Sequence, residues 1–183
     1  ESAPPLGALG AAALLGRAGH AGVVVFGGLS KRSNAPGLRW GYVAGDAKLV
    51  AAFLRYRTYH GSAMSPAVAT ASLAAWRDEA HVRENRARYA AKFDALTPRL
   101  AAALPCERPD AAFYLWAKTP GDDAEFAKRL YAEEHVTVLP GSYIARDAHG
   151  INPGRGRIRI ALVADEVECA EGVDRIVRLA RRM

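Results

Sequence analysis

Cysteine, methionine and long apolar runs are what this chain has least of. Only Cys106 and Cys169 occur among 183 residues. They are far apart and lack metal-ligand spacing, which excludes a disulfide framework and a cysteine-built metal site. Two ordinary buried or half-buried thiols in a reduced, cytoplasmic setting remain. No stretch reaches the roughly 20 apolar residues that a membrane span needs. The N-terminus, Glu1-Ser2-Ala3-Pro4-Pro5, has no methionine, basic leader or apolar signal core. No internal repeat or low-complexity linker appears. Gly27-Gly28-Leu29-Ser30-Lys31 lacks the four-residue gap and Gly-Lys pair of a phosphate-binding P-loop. His20, His81, His135 and His149 have no partner at useful spacing and take no role.

Half of the residues are hydrophobic, enough to build a core and to exclude global disorder. The net charge of +6 invites a nucleic-acid reading. However, Arg83, Arg86, Arg88 and Arg99 are interleaved with Glu79, Glu84 and Asp94 in a helical stretch, the pattern of a solvated face. Only Arg175, Arg178, Arg181 and Arg182 cluster, and a basic last turn also complements a helix macrodipole. Neither nucleic acid nor membrane is expected as a partner.

An Ala/Leu-rich helix is predicted over 8–17, ending near Gly19. Val23 to Phe26 reads as a continuous apolar strand of the kind buried on both faces, and Arg39 to Ala44 as a second strand closed by Gly45-Asp46. Asp46 can cap a helix through about Tyr56. A polar stretch at 58–62 leads to Ser65-Pro66, an N-cap with proline at the first helical position. The next helical region runs from about 66 to 103. Val82, Arg86, Tyr89, Phe93, Leu96 and Leu100 recur there at steps of four and three, and Pro98 is predicted to kink or split it. Strands at 113–117, 136–139 and 157–163 follow, with a helix at about 122–134. Asp165-Glu166-Val167-Glu168 has capping-box spacing and opens a last helix.

The chemistry concentrates in Leu29-Ser30-Lys31-Arg32-Ser33-Asn34-Ala35-Pro36-Gly37-Leu38-Arg39-Trp40-Gly41-Tyr42. A strand delivers Lys31 to a Gly/Ser/Asn/Pro-rich loop, and Arg39 follows eight residues later. A lysine held at a strand end can be partly desolvated, which frees its amine to attack a carbonyl. An arginine can grip an anion bidentately. Together they suit pyridoxal 5'-phosphate (PLP), whose aldehyde takes a lysine and whose phosphate takes a guanidinium. The run resembles the lysine signature of the class I/II, fold-type I aminotransferases, closest to the succinyldiaminopimelate aminotransferases.

That resemblance implies an α/β fold. The chain would be the C-terminal portion of a fold-type I large domain, a mostly parallel sheet with helices, plus a small α/β domain. Residues 1–75 would end the PLP-binding large domain, and 76–183 would form the connecting helix and small domain. Lys31 would bond the cofactor and move the substrate α-proton, and Ser30 and Arg39 would contact its phosphate. Where the family often carries a serine three residues before the lysine, this chain has Gly28. A charged hydrogen bond lost there is worth about 1.5–3 kcal/mol.

In Arg157-Ile158-Arg159-Ile160, strand alternation puts both arginines on one face. They could be two solvent-facing side chains of an edge strand; the resemblance makes Arg159 the clamp on the substrate carboxylate. Tyr59 and His60 fall in a stretch that resembles the family's segment crossing to a neighbouring subunit's site, or in a plain polar loop before a helix. Phe113-Tyr114-Leu115-Trp116 and Val138-Leu139-Pro140-Gly141-Ser142-Tyr143 resemble small-domain segments that border the substrate, with most of their aromatics expected in the core. The family implies a homodimer, no metal, and small amino and 2-oxo acid substrates, here glutamate and N-succinyl-2-amino-6-oxopimelate of lysine biosynthesis. Another class I/II aminotransferase, a carbon–sulfur lyase or a non-catalytic module on the same fold are the alternatives. Lys31, Arg39 and Arg159 together argue against the last. A first half would precede Glu1, supplying a phosphate loop and an aspartate for the pyridine nitrogen, and the 183-residue chain alone is expected to be inactive.

Overall fold

The computed structural model describes residues 7–17 and 20–183, which fall into two compact units, one ending at Glu84 and the next beginning at Asn85. In the first unit, helix α1 (Ala8–Leu14) precedes strand β1 (Val24–Gly28), the one-turn helix α2 (Leu29–Arg32) and a 3-10 turn, Pro36–Leu38. Strand β2 (Gly41–Gly45) and helices α3 (Ala47–His60) and α4 (Pro66–Arg77) follow. α1 is shorter than predicted, and Gly19, its predicted end, lies outside the described residues. β1 and β2 form one antiparallel ladder, with Phe26 opposite Val43 and Gly28 opposite Gly41. Every ladder among the described residues is antiparallel. Phe26 is 69% exposed, so β1 is not buried on both faces here.

Glycine is demanded at two positions of this ladder. Gly45 has φ +138°, and a Cβ there would stand 2.1 Å from the Val23 carbonyl oxygen. At Gly28 the conformation is ordinary, but a Cβ would meet the Trp40 carbonyl oxygen at 2.7 Å. Asp46 caps α3 as predicted, accepting from the N–H groups of Lys48 and Leu49. The Gly22 N–H also donates to it, and these backbone donors hold its carboxyl below the usual range.

The predicted 66–103 helix is broken, but not by Pro98. Ser65 caps α4, with Pro66 in the first turn. The break falls at Asp78-Glu79, where Asp78 leaves helical geometry (φ −98°, ψ 109°) and accepts from Ala80 N at 2.8 Å, starting α5 (Ala80–Ala101). Pro98 stays inside α5, which runs on past it although its missing N–H removes one bond from the helix ladder.

The second unit holds β3 (Tyr114–Lys118), α6 (Asp123–Glu134), β4 (Leu139–Pro140), α7 (Gly141–Ile144), β5 (Arg157–Ala161) and α8 (Glu166–Ala180). β5 is the central strand of β3–β5–β4, while β4 is only two residues long. Alternation buries Leu115, Ala117, Ile158 and Ile160 on one face. They join Phe93, Leu96 and Leu100 of α5, Phe126 and Leu130 of α6, and Val173, Ile176 and Leu179 of α8 in one core. Three of the four clustered C-terminal arginines reach back to Glu134. Arg178 and Arg182 each reach the buried Glu134 carboxylate at 2.8 Å, and Arg175 donates to the Glu134 carbonyl. Among the described residues, no helix is long and apolar enough to cross a membrane, and no group of His, Cys, Asp and Glu could hold a metal ion.

Asp123, fully buried at the start of α6, ties two loops together. Its oxygens accept from Ser142 N at 2.8 Å and Gly156 N at 3.0 Å. Burial pushes its carboxyl up, but the Ser142 N–H and hydroxyl and the Gly156 N–H outweigh that and hold it below its ordinary 3.8. The folded chain therefore binds this proton less readily than the unfolded chain. Its stabilising contribution is full above the ordinary carboxyl range and is lost as pH falls through the lowered value. Acid titration of the full-length protein, followed by circular dichroism, should show less loss of stability for Asp123→Asn than for wild type in that window, from a lower starting stability.

Candidate active site

Lys31 sits in α2, directly after β1, on a turn whose first residue, Leu29, is fully buried. The Leu29 carbonyl accepts from Ser33 N and Ala35 N, closing the loop back on that buried side chain. Ser30 is half-buried and Lys31 exposed, so the described residues do not desolvate the amine as its strand-end position suggested. Asn34 and Arg39 both have φ +50°, a left-handed conformation that non-glycine residues adopt at a cost of about 1–3 kcal/mol. Arg39 therefore precedes β2 rather than beginning it. Its exposed guanidinium spends one donor on the Pro36 carbonyl at 2.9 Å. α2 and the Pro36–Leu38 turn pack against each other, so Lys31 and Arg39 are carried on abutting turns.

The residues that fix this loop include ones to which sequence reasoning gave no role. Arg32 donates to the Ala75 carbonyl at 3.0 Å, pairs with Glu79 and lies 4.2 Å over the Trp76 ring. His81 has partners after all: Nε2 meets Ser33 Oγ at 2.9 Å and Nδ1 meets Asp78 Oδ2 at 2.8 Å. The two residues following Lys31 are thus tied to the joint between α4 and α5. Trp76 also packs with Trp40 and Tyr42, both ring centroids at 5.5 Å. The Lys-Arg-Ser run beside an Asp-x-x-His was the available signal, but pairs some 45 residues apart in sequence carry no periodicity.

Arg159 lies on the central strand of the second unit's sheet, opposite Trp116 on one side and Leu139 on the other. This excludes the edge-strand alternative. Its guanidinium stands 5.4 Å over the Tyr114 ring, and its Nε is buried without a hydrogen-bond partner. Beside the short β4, a cavity of about 590 Å³ has Arg159 in its wall together with Leu139, Leu162 and Cys169. Lys31, Ser30 and Arg39 belong to the first unit and Arg159 to the second.

Tyr59 and His60 are not in a loop: α3 continues to His60, which stacks on Tyr56 with centroids 4.5 Å apart, while Tyr59 is 83% exposed. Tyr143, on α7, is 76% exposed. Cys106 and Cys169 are free thiols, both pushed up by burial.

The profile of the family "Aminotransferase class I and II" matches residues 5–176. The chain belongs to that family. It superposes on the crystal structure of an aminotransferase from Neisseria meningitidis with a TM-score of 0.89 and 53% identity, covering 97% of this chain and 45% of that one. It is 35% identical over 161 residues to an LL-diaminopimelate aminotransferase of Nitratidesulfovibrio vulgaris, 85% of this chain and 40% of the relative. A Thermus thermophilus structure described as a "probable N-succinyldiaminopimelate aminotransferase" matches with a TM-score of 0.78 and 29% identity, over 88% of this chain and 43% of that one. These likenesses show the α/β fold of the fold-type I aminotransferases, a family whose members generally depend on PLP. The chain spans less than half the length of each of these relatives.

The donor chemistry fits PLP. A primary amine, a hydroxyl and a guanidinium with unspent donors stand on one loop, and a buried guanidinium nitrogen without a partner waits in the second unit. Because Arg32 fixes the loop, Arg32→Ala should destabilise the full-length protein by about 1.5–3 kcal/mol. It should also expose the 31–36 loop to proteolysis. Urea denaturation and timed digestion would measure both.

Proposed function

We propose that the complete protein is a PLP-dependent aminotransferase that moves an amino group from glutamate to N-succinyl-2-amino-6-oxopimelate in lysine biosynthesis, acting in the cytoplasm as a homodimer. The observation that carries the reading is the exposed Lys31 on a turn fixed at both flanks, with Arg39 on the turn packed against it. Residues 1–75 are read as the end of the cofactor-binding domain and 76–183 as the connecting helix and small domain. The substrate assignment takes its support from the diaminopimelate and succinyldiaminopimelate names of two relatives.

PLP, when bound, supplies an electrophilic carbonyl and a conjugated electron sink. Lys31 Nζ would hold it covalently and, once released by the incoming substrate amine, would take up and return the proton at the substrate α-carbon. Ser30 Oγ and the free donors of Arg39 would bind the phosphate. Gly28 brings no side chain to that phosphate, since the Trp40 carbonyl fills the space. Arg159 orients the substrate by a planar fork on its carboxylate, which satisfies the buried Nε. Tyr59 and His60, at the exposed end of α3, would enter a neighbouring subunit's site.

Borohydride reduction of the full-length protein with PLP, followed by peptide mapping, should label Lys31, and Lys31→Ala should abolish transamination while the fold survives. Label on another lysine would sink the assignment. Arg159→Ala should lower kcat/KM by about 2–5 kcal/mol of transition-state binding, with cofactor absorbance retained. An equal loss on amino substrates without a carboxylate would mark the residue as structural.

A further inference from the structure

The face of the β3–β5–β4 sheet that is turned away from the core carries an unbalanced set of charges. Tyr114, Trp116 and Lys118 stand on it from β3, Arg157 and Arg159 from β5, and Leu139 from β4. The register sets Lys118 directly opposite Arg157. Like charges opposed across a ladder destabilise a sheet. Among the described residues, neither Lys118 nor Arg157 has an ion-pair partner, and this face includes no acidic side chain. Elsewhere in the same unit arginines are neutralised with care, as Arg178 and Arg182 are on Glu134. Arg157 is half-buried, not a freely solvated surface cation. Two steps along the same strand, Arg159 has its buried, unpartnered Nε. The two arginine Cα atoms are about 7 Å apart by strand geometry. Between and beside them lie the apolar surfaces of Trp116 and Tyr114.

We propose that this face is a two-point anion site. Arg159 takes one carboxylate, and Arg157 with Lys118 takes a second, so that the substrates are dicarboxylic amino and 2-oxo acids with several carbons between their acid groups. The proposal rests on the reading of Arg159 as the carboxylate arginine. A second carboxylate relieves the repulsion between Lys118 and Arg157, a gain that a monocarboxylate cannot supply. Discrimination comes from the cationic pair left unneutralised when the second acid group is missing. Trp116 and Tyr114 offer the intervening methylenes a flat apolar support.

The test is calorimetric binding of glutarate and butyrate to the full-length, PLP-loaded protein, with alanine and glutamate compared as amino donors in parallel. Arg157→Gln should weaken glutarate roughly tenfold or more and leave butyrate unchanged. Arg157→Lys should restore most of that affinity, and the kcat/KM ratio of glutamate to alanine should fall by the same factor in Arg157→Gln. Arg159→Gln should weaken both acids. Unchanged glutarate binding in Arg157→Gln and Lys118→Gln, or equal loss of glutarate and butyrate in Arg157→Gln, overturns the site. The expected binding pattern without any transaminase turnover would remove the aminotransferase reading and leave the anion site standing.

Discussion

The guanidinium of Arg32 is the contact on which the placement of the first unit's candidate site residues depends. It is mostly buried and meets a helix-end carbonyl, a carboxylate and an indole face at once. The residue before it is the exposed Lys31. The residue after it is held through His81 to Asp78. A lysine amine that must meet one atom repeatedly gains from a backbone that cannot drift, because misplacement of reacting groups is costly in rate. The exposure of Lys31 and the restraint of its neighbours are complementary: the side chain is accessible while its Cα is not free to move.

In the second unit the same separation of roles recurs on a sheet. One face of β3 and β5 is given to the core, the other to cations and aromatic rings. Asp123 sits behind this arrangement, accepting N–H donors from the loop that starts α7 and from the loop that leads into β5. Gly141 and Gly154 allow those loops to touch, since a Cβ on either would stand 2.1–2.2 Å from the other's carbonyl oxygen. The start of the arginine-bearing strand is therefore set by backbone contacts and one buried carboxylate, independently of what its outward face binds.

Local signals were read well from the sequence and long-range ones poorly. The caps at Asp46, Ser65 and Asp165 act through neighbours two or three residues away, and each is found where composition placed it. The stripe from Val82 to Leu100 reflects the helical repeat, and its apolar members are buried or half-buried. Pro98 misled because one missing N–H does not by itself end a helix whose other contacts hold it, and α5 continues to Ala101. Asp78 is as local a cap as those at Asp46, Ser65 and Asp165, accepting from Ala80 N, and was overlooked because the helical reading ran unbroken from 66 to 103. The strand at 136–139 shrank to Leu139–Pro140, since an apolar run pairs only where a neighbour reaches it. Lys31, Arg39 and Arg159 stood out as candidates through their spacing; the pairs formed by Arg32 and His81 did not, because only folding brings their partners close.

Gly28 carries a lesson about how this loop can change. The space that a side chain would need is held by the Trp40 carbonyl, and Trp40 in turn leans on Tyr42 and Trp76. Introducing a hydroxyl at position 28 therefore cannot be an isolated event; the start of β2 and its aromatic trio would have to retreat in the same step. The two regions are epistatically locked. Any side chain at position 28 therefore comes at the expense of the Trp40 carbonyl's place.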